Sequence, residues 1–86
     1  MPRISAFYGI TIFMYIDEHP PPHFHAWYSG ARASIDIATR DLVSGSLPPR
    51  ALRIVREWAR QHERELTANW RRARRDEPLT KIEPLR

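Results

Sequence analysis

Three histidines fall within seven residues in the run His19-Pro20-Pro21-Pro22-His23-Phe24-His25, directly after Asp17 and Glu18. Imidazole titrates near neutrality and ligates transition metals, so this density beside carboxylates marks a place for proton or metal chemistry. The fourth histidine, His62, lies in a helical apolar stripe and reads as a hydrogen-bonded core residue. There is no cysteine, which excludes disulfides and thiolate zinc sites. No phosphate-cradling glycine loop or nucleophile elbow is present.

The elements around this run follow from local chemistry. Gly9 introduces the β-branched and aromatic run Ile10 to Ile16, which reads as a central strand. The stretch from Asp17 to Pro22 must leave the sheet, because proline donates no ladder hydrogen bond. His23 to Tyr28 reads as the next strand, Ser29-Gly30 as a tight turn and Ala31 to Ala38 as a third strand. Leu42-Val43 reads as a short fourth. Pro48-Pro49 suits the first turn of a helix, with Ser46 the better cap by chemistry. Leu52, Val55, Ala59, His62, Leu66, Asn69 or Trp70, and Ala73 then recur at three- and four-residue spacing up to about Arg75, before Pro78. The expectation is one α+β domain over 1–86. A small antiparallel sheet of three to four strands (about 8–44) packs on one long C-terminal helix (about 48–75), and an extended tail (76–86) lies across the body.

A two-residue turn fixes a register. It sets Tyr28 opposite Ala31, Trp27 opposite Arg32, Ala26 opposite Ala33, His25 opposite Ser34, Phe24 opposite Ile35 and His23 opposite Asp36. One face then carries Phe24, Ala26, Tyr28, Ala31, Ala33 and Ile35; the other carries His23, His25, Trp27, Arg32, Ser34 and Asp36. Three uses of the second face stay open. The first is a divalent transition-metal site, zinc for example, with His19, His23, His25 and an oxygen ligand, Asp17 by preference and Glu18 or Asp36 otherwise. The second is metal-free RNA cleavage, in which His23 and His25 act as acid and base, Asp36 orients His23 and Arg32 stabilises developing charge, with Ser34 positioning a phosphate. The third is partner contact through Trp27, stacked against Arg32.

The net charge of +4 is unevenly placed: residues 50 to 75 hold nine arginines against Glu57, Glu63 and Glu65. This reads either as a solvated face with pairs such as Arg53–Glu57, or as a surface for phosphate or an acidic partner. Arg71, Arg72, Arg74 and Arg75 are the candidate nucleic-acid contacts. The longest apolar run is too short to cross a bilayer, and the start of the chain lacks a secretory pattern, so a cytoplasmic protein without a membrane partner is expected.

The opening Pro2-Arg3-Ile4-Ser5-Ala6-Phe7-Tyr8-Gly9-Ile10, the Met14-Tyr15 pair, the histidine run and Leu47-Pro48-Pro49-Arg50-Ala51-Leu52 together resemble a small bacterial family, domain of unknown function 4160. Glu57-Trp58-Ala59, Asn69-Trp70 and Pro78-Leu79-Thr80-Lys81-Ile82-Glu83-Pro84-Leu85 extend the likeness over essentially the whole chain. The resemblance implies a compact α+β protein of bacteria or phages, often encoded beside another small gene in a toxin–antitoxin-like pair. The expected partners are that small cognate protein, RNA, or a second copy in a homo-oligomer. The alternative expectation is a non-enzymatic metal-binding or regulatory interaction domain.

Overall fold

A computed structural model describes residues 3–16 and 18–86. Five strands precede two helices: β1 (Arg3–Phe7), β2 (Ile10–Phe13), β3 (His23–Tyr28), β4 (Ala31–Asp36), β5 (Leu42–Gly45), α1 (Pro49–Gln61) and α2 (Glu63–Arg74). The strands form one antiparallel meander in sequence order. The α+β class is as expected from the sequence, with one strand more and the single helix divided in two.

Both tight hairpins use a two-residue turn with positive φ at each central residue, Tyr8-Gly9 and Ser29-Gly30. That backbone matches the right-handed twist of the flanking strands. Ser29-Gly30 sets all six β3–β4 pairs from Tyr28–Ala31 to His23–Asp36 as the turn length requires. Phe24, Ala26, Ala33 and Ile35 are consequently buried, together with Ile10 and Ile12 of β2. The extra strand, β1, has a bulge between Arg3 and Ser5 that buries Ile4 and Ser5 in succession. Its sequence therefore lacks the alternation that marks a strand.

The buried face of the sheet packs on Ala51, Val55, Trp58 and Ala59 of α1 and on Leu66 of α2. Trp58 is the hub: its ring centroid lies 5.2 Å from that of Phe7 and 5.8 Å from that of Phe24, and its indole N–H donates to the Glu83 carbonyl. The tail is held to the body by hydrogen bonds at Thr80, Ile82 and Glu83. Ile82 N–H donates to the Ile4 carbonyl on the outer edge of β1, and buried Asn69 both donates to the Thr80 carbonyl and accepts from its N–H.

The helix breaks at His62, whose backbone (φ −120, ψ 27) is not helical. Its N–H is shared between the Trp58 and Ala59 carbonyls, and its own carbonyl accepts from Leu66. The imidazole packs at a tilt against Trp58 and bonds Glu65, and Glu63 and Glu65 suit the electropositive start of a new helix. α2 then carries Trp70 and Arg74 to the segment before β3. The start of α1 is also not as expected: Pro48 occupies the cap position without a side-chain hydrogen bond, while Ser46 N–H extends the sheet by donating to the Arg32 carbonyl.

Gly45 and Gly30 give a test of this packing. Both have positive φ, but a Cβ on Gly45 would lie 2.2 Å from the Arg32 carbonyl oxygen, whereas one on Gly30 meets nothing within 4 Å. Gly30→Ala should cost about 1–2 kcal/mol, the ordinary left-handed penalty, and Gly45→Ala clearly more, measured by urea unfolding. Equal costs would contradict the β4–β5 pairing.

Candidate metal centre

β3 projects His23 and His25 to the same side, with ring centroids 5.2 Å apart. The segment between β2 and β3 carries the three prolines, cannot join the ladder, and folds Glu18 back over both rings. One carboxylate then meets two imidazoles: Glu18 Oε2 lies 3.2 Å from His23 Nε2, and Oε1 contacts His25 Nε2. The ligand-capable atoms of these three residues lie within 4.8 Å of one another.

The remaining ring nitrogens are also engaged. His23 Nδ1 sits 2.7 Å from the Pro21 carbonyl oxygen, and His25 Nδ1 lies 3.1 Å from Ser34 Oγ. A carbonyl only accepts, so His23 Nδ1 must carry the proton. In neutral His23 the Nε2 lone pair then points at a carboxylate oxygen, a repulsive contact unless a cation lies between them. The cation is either a proton, giving an imidazolium–carboxylate pair, or a metal ion. Around this point Tyr15 packs edge-on to His25 (4.4 Å) and Trp70 tilts against His23 (5.3 Å). Arg74 donates to the Glu18 carbonyl. His23 is 8% exposed, and Glu18 and His25 keep partial access to solvent.

The sequence-predicted residues divide clearly. His23 and His25 come together, whereas His19 is exposed and outside the cluster, and Asp17 lies outside the described residues. Glu18, named in the sequence only as a possible oxygen donor, takes the central position. Asp36 is the backbone partner of His23, but its Oδ1 accepts from Ala38 and Thr39 N–H and closes the β4–β5 turn. The expected His23–Asp36 side-chain pair is therefore replaced by His23–Glu18. The Arg32 guanidinium lies 4.0 Å from the Trp27 ring centroid, as a cross-strand cation–π pair. Of the four candidate nucleic-acid arginines at the end of α2, Arg72 bonds Asn69 and Arg74 bonds the Glu18 carbonyl; Arg71 and Arg75 are exposed. Tyr15 and Trp70, which wall the cluster, carried no functional signal in the sequence beyond being aromatic.

Burial pushes the Glu18 carboxyl up, but its hydrogen bond with His25 and the charges of His25 and His23 outweigh this and hold it below the usual range. A carboxyl depressed in the folded state stabilises the fold above its unfolded pKa, near 4.5, and that contribution is lost as pH falls through the folded value. In chelator-treated protein, Glu18→Gln should therefore be less stable than wild type at neutral pH, with the gap closing below about pH 4.5. Urea unfolding across pH 7 to 3 reads this; a gap independent of pH contradicts the geometry.

The model of a domain of unknown function, DUF4160, matches residues 9–71. That span takes in β2 to β5, α1, most of α2 and all three residues of the cluster. No curated protein and no solved structure matches the chain. With its histidine run and the elements that position it inside the matched span, the chain belongs to the DUF4160 family.

Proposed function

We propose that this protein binds a divalent transition metal of the zinc class through Glu18, His23 Nε2 and His25 Nε2. The observation that carries the reading is the sharing of one carboxylate by two Nε2 atoms whose rings are held from behind at Nδ1. Metal-ligating histidines are typically fixed by such a hydrogen bond on the other nitrogen, which sets the tautomer and raises ligand basicity. Two nitrogens and an oxygen suit zinc, nickel or copper, and three protein ligands leave coordination positions for water or a substrate. A bound ion of this kind polarises an oxygen or lowers the pKa of a bound water.

Metal-free RNA cleavage by His23 and His25 has weaker support. An acid–base pair needs a ring nitrogen aimed at substrate, and both Nε2 atoms are aimed at Glu18 while Arg32 and Asp36 are engaged elsewhere. Within the two-gene module that the family resemblance implies, we place this chain as the metal-dependent member. The half-exposed side of the sheet, with Phe13 and Trp27 in tilted contact at 4.6 Å, is the surface offered to a cognate protein.

Zinc added to chelator-treated protein should raise the Tm, by the equivalent of about 2.7 kcal/mol when free zinc exceeds Kd 100-fold. Calorimetric titration should give one site per chain. Glu18→Ala, His23→Ala and His25→Ala should each weaken binding at least about tenfold, the scale reported even for loss of outer-shell partners, whereas His19→Ala should leave it unchanged. No shift with zinc, nickel or copper, or equal loss in His19→Ala, overturns the assignment.

A further inference from the structure

On α1, Arg53, Arg56 and Arg60 recur at three- and four-residue spacing on the side opposite Ala51, Val55, Trp58 and Ala59, which face the core. The β4–β5 turn brings Arg40 against this row, forming a cleft of about 470 Å³ lined by Arg40, Arg53, Arg56, Arg60 and one acid, Glu57, over Pro49 and Leu52. It lies beside α1 and the β4–β5 turn, and none of its lining residues belongs to the metal cluster.

The charges in the cleft do not balance. Glu57 takes Arg60 in a two-pronged contact, Nε at 3.2 Å and Nη2 at 2.5 Å, so the Arg53–Glu57 pairing anticipated from sequence is not made. Arg40 is matched by Glu63 at 3.1 Å. Arg53 has no side-chain hydrogen bond among the described residues. Arg56 donates its Nε to the Arg40 carbonyl at 2.9 Å, which fixes the guanidinium and leaves its two terminal nitrogens without a partner among the described residues. Arg40 itself adopts φ +64, a left-handed conformation that favours glycine or asparagine. The turn thus places a long cationic side chain where a small residue would be easier to accommodate, and its carbonyl orients a second.

We infer that this cleft binds the phosphodiester backbone of a nucleic-acid strand, with Arg53 and Arg56 as the principal contacts. All the cations are guanidiniums, whose planar fork fits phosphate oxygens two at a time. Arg53 and Arg60 stand about 10 Å apart along the helix, so the row offers successive contacts to a chain of anions. An acidic protein partner would need an apolar anchor pocket, and here only Pro49 and Leu52 are apolar. The inference goes beyond the metal reading and does not depend on it.

Fluorescence anisotropy with a labelled 20-nucleotide oligouridylate in chelator, titrated at low and rising salt, tests it separately from the metal. Wild type should bind with strong salt dependence. Arg53→Glu/Arg56→Glu should weaken binding at least about tenfold and flatten the salt slope by roughly 0.7 per lost contact. Arg71→Glu/Arg75→Glu, an equal charge change on exposed residues at the end of α2, should weaken it several-fold less. Arg53→Ala, which removes no intramolecular hydrogen bond, should lower affinity on its own with the circular-dichroism melt unchanged. Absence of RNA binding, binding of polyglutamate in preference to oligouridylate, or a larger loss from the α2 pair than from the α1 pair each overturns the inference.

Discussion

One carboxylate facing two imidazoles is the constraint around which the rest of the molecule is arranged. Glu18 lies between His23 and His25, and the Pro21 carbonyl behind His23 leaves its Nε2 without a proton in the neutral ring. Such an arrangement is comfortable only with positive charge at its centre. Burial sharpens the requirement, because the low-dielectric surroundings of His23 make an uncompensated carboxylate more costly than in water.

The scaffold supplies both walls of that centre by ordinary means. A two-residue turn locks the β3–β4 register, so His23, His25 and Ser34 share a face and the apolar side chains share the other. The break at His62 divides a run of helical residues and brings Trp70 and Arg74 to the same corner. Asn69 and Trp58 then tie the tail back to the helices, closing the core on the outer edge of β1. The arginine cleft lies apart from this, bounded by α1 and the β4–β5 turn. The proposed metal and phosphate sites thus occupy separate regions of a very small protein.

Legibility in the sequence tracked how local each determinant is. The β3–β4 hairpin could be read residue by residue, since Ser29-Gly30 fixes both turn and register and the pattern on either side alternates cleanly. β1 could not, because its bulge buries Ile4 and Ser5 side by side. The helix break was hidden because Val55, Ala59, His62, Leu66 and Trp70 keep helical spacing straight through it, with no glycine or proline to mark the place. In the cluster, His23 and His25 followed from strand periodicity. The choice of Glu18, and the diversion of Asp36 to the backbone of its own turn, depended on the path of a proline-rich segment whose course no periodicity encodes. Arg53 and Glu57 show the same limit: spacing permitted their pair, but Arg60 and Gln61 compete for the same carboxylate and hold it.

The most direct measurement is anomalous diffraction at the zinc edge from crystals grown with zinc. The account predicts a single strong peak about 2.0–2.2 Å from Glu18 Oε, His23 Nε2 and His25 Nε2, with the Nδ1 contacts to Pro21 and Ser34 retained. A peak at His19 alone, or an intact Glu18–imidazole contact with no density between its members in saturating zinc, would contradict it.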